Sequence, residues 1–249
     1  MTHEPVWVIG ASSGIGFELV KQFLAEGRLV VASSRNVSPL EELRAMYGEN
    51  LKLISMDVTS SSSVQNAVSE IHNQDLEIEA VLINAGGYVP VSETQISEDV
   101  ALSMMKVNYL GPVSVTERIL PGMLEKGHGH IVFVASVAGY LGLPKSLAYG
   151  PSKAALINFA EGLRVSLQKT GIKIQLVNPG FVRTPLTANN TFKMPFLMGA
   201  SEAATRIVKG MEGSKFEISF PKRFTYFLRL LQMLPYGFTL KFLNERTVK

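Results

Sequence analysis

Two side chains four residues apart, Tyr149 and Lys153, can do acid–base chemistry together. At positions i and i+4 of a helix they share one face. An ammonium beside a phenol favours the phenolate, so the spacing predicts a tyrosine pKa lowered from its reference of about 10. A group tuned in this way can give or take a proton near neutral pH. Gly150, Pro151 and Ser152 lie between the pair and suit the first turn of a helix, where the N–H that proline lacks would have no partner. Ser136, thirteen residues before the tyrosine, and Asn108, further back, are polar groups that a fold could add to them.

The elements that would position such a site are legible around it. Val6, Trp7, Val8 and Ile9 form a short apolar run that reads as a buried parallel strand. It runs into Gly10-Ala11-Ser12-Ser13-Gly14-Ile15-Gly16, then a helical pattern with Leu19, Val20, Phe23 and Leu24 on one face. Glycines in such a turn let the backbone approach a pyrophosphate, and the following helix offers N–H groups and a positive dipole end. The spacing is Gly-x-x-x-Gly-x-Gly, not the commoner Gly-x-Gly-x-x-Gly. Further apolar runs alternate with helical patterns, as in βαβ units. Strands are expected near 5–9, 28–32, 51–55, 79–83, 129–135, 172–178 and 215–219, with long helices near 97–125 and 149–170. The serines Ser60 to Ser63 read as a helix start. The fold class expected is α/β, a single-domain doubly wound parallel sheet of about seven strands with helices on both faces.

Taken in order, these residues resemble the short-chain dehydrogenase/reductase family in its compact branch. The resemblance runs from about Pro5 to Gly213. It takes in the Gly-rich turn, Asp57-Val58 after the third strand, Asn84-Ala85-Gly86 after the fourth, Asn108, Ser136, Tyr149-x-x-x-Lys153, and Pro179-Gly180 with Thr184. It implies a nicotinamide cofactor and a ketone or aldehyde interconverted with an alcohol. Tyr149 would be the proton donor and Ser136 would hydrogen-bond the carbonyl oxygen as charge develops there. Lys153 would bind the nicotinamide ribose and lower the tyrosine pKa. Asn108 would hold a water linking Lys153 to solvent. Gly10, Ser12, Ser13, Gly14, Ile15 and Gly16 would cradle the pyrophosphate, and Asp57 and Val58 would contact the adenine. Asn84, Ala85 and Gly86 would line the adenine-ribose side. Pro179, Gly180, Val182 and Thr184 would cover the nicotinamide end. The family also implies a homodimer or homotetramer built through the two long helices.

Cofactor choice is read at the end of the second strand, Val30-Val31-Ala32-Ser33-Ser34-Arg35-Asn36. NAD-binding folds usually place an acid here, which would repel a 2′-phosphate. Ser34 holds that position and Arg35 follows, so NADP(H) is favoured over NAD(H). The segment from Pro185 to Gly199 is expected to be a substrate lid. Phe192, Met194, Pro195, Phe196, Leu197 and Met198 in it argue for an apolar ligand, or else pack the lid onto the body. Phe181 and Tyr140 to Pro144 are expected to line the same pocket, and Lys145 and Arg183 are candidates for holding a carboxylate.

Composition narrows the remaining choices. The 249 residues are 46% hydrophobic, enough for one substantial core, and there is no cysteine for disulfides or thiolate metal sites. His3, His72, His128 and His130 lack metal-ligand spacing. Met1 to Pro5 is too short and polar for a secretory signal, so a cytoplasmic protein is expected. Residues 222–249 hold six basic side chains against Glu245, a net +5, while the rest of the chain is −2. Phe224, Phe227, Leu228, Leu231 and Leu234 are expected on one helical face until Pro235 and Gly237 break the pattern. Residues 1–221 thus read as the catalytic domain and 222–249 as a basic amphipathic extension. The extension is too interrupted to span a membrane. It would lie on an anionic membrane surface, cover a partner, or pack over its own active site or a neighbouring subunit. Nucleic-acid binding is not expected, because the other basic residues are balanced by acids. Two further readings remain beside the oxidoreductase: a non-catalytic NADP(H)-binding sensor and a membrane-surface interaction protein on the same fold.

Overall fold

A computed structural model describes residues 5–188, 190 and 194–247, with 245–247 described by their helical backbone. His3, the lid residue Phe192, Lys249 and the side chains of Glu245 and Arg246 lie outside the described residues.

Seven strands make one parallel sheet. In chain order the elements begin β1 (Val6–Ile9), α1 (Gly14–Ala25), β2 (Val30–Ser34), α2 (Glu41–Tyr47), β3 (Leu51–Ser55), α3 (Ser61–Asn73) and β4 (Ala80–Ile83). There follow α4 (Glu98–Met105), α5 (Gly111–Lys126), β5 (Gly129–Val134), α6 (Tyr149–Ser166) and β6 (Ile172–Pro179). The chain ends with β7 (Val182–Arg183), β8 (Met198–Gly199), α7 (Ala200–Glu212), β9 (Glu217–Phe220), α8 (Lys222–Met233) and α9 (Tyr236–Thr247). The sheet order is β3-β2-β1-β4-β5-β6-β9, so the strand order reverses between β1 and β4. Ligands bind outside the carboxyl ends of the strands at such a switch point.

Strands buried on both faces need apolar residues at every position, which is why VWVI and AVLI read as unbroken runs. Alternate side chains serve opposite layers. Val6 and Val8 pack with Leu19, Phe23 and Ile207 of α1 and α7, while Trp7 and Ile9 join the layer of Val64, Val115 and Leu156 from α3, α5 and α6. β2 reaches two residues further than the apolar run alone suggests. Ser33 and Ser34 are buried within it, and Ser33 Oγ accepts the Trp7 indole N–H at 2.8 Å. That bond satisfies a polar side chain inside a strand, and it leaves Ser34 at the strand's carboxyl end. Ser60 caps α3 as its serines suggest, accepting the Ser63 N–H.

The helical path expected near 97–125 is present but not uniform. Between α4 and α5, residues Lys106–Leu110 form a π turn, and Gly111 donates to the Lys106 carbonyl. Pro112 lacks the N–H that would close an α-type bond to Asn108, so the regular ladder cannot continue there. β7 and β8 pair as a short parallel ribbon, Val182 with Met198, at the two ends of the segment expected to be a lid.

Candidate active site

One cavity of about 920 Å³ runs across the carboxyl ends of the strands. Ser12, Ser13, Gly14 and Ile15, at the first turn of α1, line its middle, and Ser34, Arg35, Asp57 and Val58 line one end. Ser136, Tyr149, Lys153, Pro179, Gly180, Val182 and Thr184 line the other, with Gly10, Asn84, Ala85 and Gly86 between. Of the residues expected to be catalytic or to bind the cofactor, Gly16 and Asn108 do not line it.

Gly16 acts from beneath. A Cβ there would lie 2.1 Å from the Gly10 carbonyl oxygen, so only glycine lets α1 close on the turn that precedes it. Gly10 has φ +83°, and a Cβ on it would meet the backbone of Ala85 at 2.6 Å. Asn84 Nδ2 donates to the Gly10 carbonyl at 2.9 Å and ties these two loops together. The result is a tight glycine turn at the start of α1 where backbone can approach a pyrophosphate. The residues present therefore fit a dinucleotide.

Asn108 is fully buried in the π turn. Its Oδ1 accepts the Gly87 N–H at 2.9 Å, and its Nδ2 donates to the Gly87 carbonyl at 3.0 Å and to Ser152 Oγ at 2.9 Å. Ser152 Oγ in turn donates to the Tyr149 carbonyl at 2.7 Å. The Asn108 side chain thus holds the β4 loop against the first turn of α6. Its own backbone carbonyl has lost its α-helical donor to Pro112.

Tyr149 is the first residue of α6, and Lys153 lies one turn on. Lys153 is buried, its Nζ donates to the Val134 carbonyl at 2.9 Å, and it sits 5.8 Å from the centre of the Tyr149 ring. The tyrosine pKa moves opposite to the direction the spacing predicts. Desolvation of its hydroxyl pushes it up to about 12, against the pull of Ser136 towards the phenolate. The Val134 carbonyl holds the ammonium over the ring, and burial drives Lys153 itself down to about 8. Burial therefore favours the protonated phenol, the form that can donate a proton.

At the opposite end Asp57 Oδ1 accepts the Thr59 N–H and hydroxyl. Those bonds, with the charge of Arg35, hold its pKa below the ordinary carboxylate range against the opposing effect of burial. The Ser34 hydroxyl donates to the Asn36 carbonyl at 2.5 Å, and exposed Arg35 stands beside it at the cavity wall.

Two expectations about the substrate side are corrected. Tyr140 to Pro144 and Phe181 do not line the cavity. Tyr140 is turned to Glu217, and Phe181 stacks on Phe224 of α8 at 5.9 Å between ring centres. Phe196 of the lid also meets Phe224, at 6.1 Å, so this part of the lid packs on the body. Lys145 and Arg183 also lie off the cavity. Tyr88 was missed. It lines the cavity with its ring edge-on to Tyr149 at 5.0 Å, and the signal was its place directly after the Asn84 turn.

A cradle for a dinucleotide at one switch point, with a serine, a tyrosine and a lysine gathered beside it, defines a nicotinamide-dependent oxidoreductase of the doubly wound class. The family model for short chain dehydrogenases matches residues 4–194. An uncharacterized oxidoreductase of Myxococcus xanthus is 32% identical over 238 residues, covering 94% of each chain. Human 17-beta-hydroxysteroid dehydrogenase 13 is 30% identical over 93% of this chain and 79% of its own. Among solved structures, an actinorhodin polyketide ketoreductase variant with NADPH superposes with a TM-score of 0.78 at 25% identity, over 88% of this chain and 97% of that one. Chains of the same fold also hold NAD, so the fold leaves the two nicotinamide cofactors undivided. The chain belongs to the short-chain dehydrogenase/reductase family.

Proposed function

We propose that the chain is an NADP(H)-dependent reductase and dehydrogenase, interconverting a ketone or aldehyde with an alcohol on an apolar substrate. The observation that carries this is the gathering of Ser136, Tyr149 and Lys153 on one cavity, where burial favours the protonated phenol. A bound nicotinamide would supply the hydride. Tyr149 would deliver the proton to the developing alkoxide while Ser136 hydrogen-bonds the same oxygen. Lys153 would hold the nicotinamide ribose, and its charge would support the proton donor. Asn108 would act through its backbone carbonyl, binding a water that connects Lys153 to solvent, while its side chain fixes Gly87 and Ser152.

NADP(H) is supported by Ser34 and Arg35 at the end of β2, where no carboxylate stands to repel a 2′-phosphate. Pro179, Gly180, Val182 and Thr184 would close over the nicotinamide, and Gly10 to Gly16 would hold the pyrophosphate. Asp57 and Val58 would meet the adenine, and Asn84, Ala85 and Gly86 would line its ribose. An apolar substrate is supported by Val89, Leu102 and Leu186 on the cavity wall. On this reading residues 1–221 form the catalytic domain of a cytoplasmic homodimer or homotetramer. Residues 222–249 are an extension able to touch a membrane peripherally.

The test is NADPH oxidation against carbonyls of graded chain length and polarity, with Tyr149→Phe beside the native protein. Turnover should rise with apolar length, and the variant should keep NADPH affinity while losing at least about two orders of magnitude in rate. A variant that retains most of the activity removes the proposed proton donor.

A further inference from the structure

The two C-terminal helices carry a surface that the cavity does not use. α8 is apolar on two faces. Thr225, Leu228 and Leu231 are buried beneath it, and Phe224 packs between Phe181 and Phe196. The opposite face shows Tyr226, Leu230 and Met233 at helical spacing, and α9 adds exposed Tyr236 and Leu240 one turn apart, with Phe238 exposed on another side of that helix. These six are 58–83% exposed. Of the nineteen large apolar side chains exposed among the described residues, eight fall within residues 226–240, which makes a patch and not a scatter. A surface helix normally turns a polar face outward, and one that is apolar all round belongs against a second apolar medium.

Charge selects that medium. Exposed Lys222 and Arg223 open α8, and exposed Lys241 stands in α9 beside the patch. The segment 222–249 is +5 on a chain whose remainder is −2. A second copy seated on the same face would bring Lys222, Arg223 and Lys241 against the same three cations. An anionic surface would neutralise it, and apolar side chains ringed by Lys and Arg are the composition of helices that lie in a lipid interface. Among the described residues no helix is long and apolar enough to cross a membrane.

We propose that the outer face of α8 and α9 docks the chain on an anionic lipid bilayer, lying on it without spanning it. This rests on the reading of residues 222–249 as a membrane contact and names the side chains that make it. The inner side of the same helix closes against the cavity wall, since a Cβ on Gly180 would lie 3.2 Å from the Phe224 ring. The bilayer therefore lies one helix away from the site, where an apolar substrate dissolved in lipid would arrive.

Co-sedimentation of the full chain tests this, using vesicles of phosphatidylcholine mixed with phosphatidylglycerol against phosphatidylcholine alone, at low and high salt. The native protein should pellet with the anionic vesicles, less with the neutral ones, and less at high salt. The variant Leu230→Glu, Met233→Glu should lose at least about tenfold in partitioning while binding NADPH like the native chain. Should that variant fail to fold, Arg223→Ser, Lys241→Ser removes exposed charge and should still weaken binding to anionic vesicles. The proposal is overturned if the native chain stays in the supernatant, or if well-folded variants pellet as it does. It is also overturned if the native chain ignores lipid and the acidic variant turns a dimer into a monomer, for the occupant is then a second copy. Vesicle binding needs no turnover, so a failed search for a carbonyl substrate leaves this result standing.

Discussion

Asn108 grips Gly87 at both of its backbone groups, accepting from its N–H at 2.9 Å and donating to its carbonyl at 3.0 Å. Through Ser152 the same amide reaches the turn that begins at Tyr149. One side chain therefore registers the β4 loop, which carries Tyr88, against the helix that carries the tyrosine and lysine. Buried groups left without partners cost about 1–3 kcal/mol each. Asn108→Ala should lose about 2–4 kcal/mol in urea unfolding and lower turnover more than it raises KM for NADPH. A loss below about 0.5 kcal/mol would show that the clamp positions nothing.

Lys153 is held against its own preference. Its ammonium is buried, and burial lowers its pKa from 10.5 to about 8. The unfolded chain then binds more protons than the folded one between about pH 8 and 10.5, so stability rises with pH through that window. Below it the buried charge is a full penalty. Lys153→Met should raise the melting temperature at pH 7, by an amount worth about 1–3 kcal/mol after the Val134 carbonyl loses its donor. The advantage should vanish by the top of the window, and activity should be lost. Thermal melts of both proteins across that range decide it; a gap that does not change with pH would refute the linkage.

How far the sequence reaches is visible in these same residues. The strands are legible because burial on both faces writes them as unbroken apolar runs, and the Gly10 turn is legible because a Cβ on Gly10 or Gly16 would lie 2.1–2.6 Å from neighbouring backbone. Tyr149 and Lys153 are legible as neighbours because helical spacing guarantees it. Their electrostatics are not. Spacing fixes a shared face, but whether an ammonium meets the hydroxyl or lies over the ring depends on the Val134 carbonyl, nineteen residues away in the chain. Tyr140 misleads for a similar reason. A tyrosine after Ser136 reads as pocket lining, and its partner, Glu217, comes from a strand seventy-seven residues further on. Phe227 and Leu234, expected on one helical face with Leu228 and Leu231, are 42% and 43% exposed where those two are buried, because periodicity sets a face and not its depth of burial.

Cofactor preference hangs on the end of β2. Ser34 is buried there with its hydroxyl on the Asn36 carbonyl, and Arg35 is exposed at the cavity wall. Ser34→Asp would place a carboxylate where a 2′-phosphate should lie. The repulsion should weaken NADPH binding by about 10–100-fold, a cost of about 1.4–2.7 kcal/mol, and NADH binding much less. Fluorescence titration with both cofactors measures the ratio. Equal losses would sink the assignment of NADP(H).

Arg229 joins the tail to the body. Its guanidinium lies 4.1 Å from the centre of the Tyr140 ring and donates to Glu217 at 3.0 Å. Glu217 also accepts from the Tyr140 hydroxyl and, at 2.7 Å, from Asn178. Burial works to raise the Glu217 pKa, but the hydrogen bonds from Tyr140 and Asn178 and the charge of Arg229 together hold it below the ordinary carboxylate range. A depressed carboxylate pKa contributes stability above its unfolded value, and that contribution fades as pH falls through the folded one. Both partners keep some solvent contact, at 39% and 28% exposure, so screening limits the gain. Arg229→Ala should therefore cost about 1–2 kcal/mol at pH 7, from the ion pair and the lost stack on Tyr140. The deficit should narrow as Glu217 takes up its proton in acid, since a neutral carboxyl no longer draws the guanidinium. Urea unfolding of the two proteins at neutral and acid pH measures both. A deficit that stays constant into acid would leave the stack on Tyr140, and not the charge on Glu217, as the bond between tail and body.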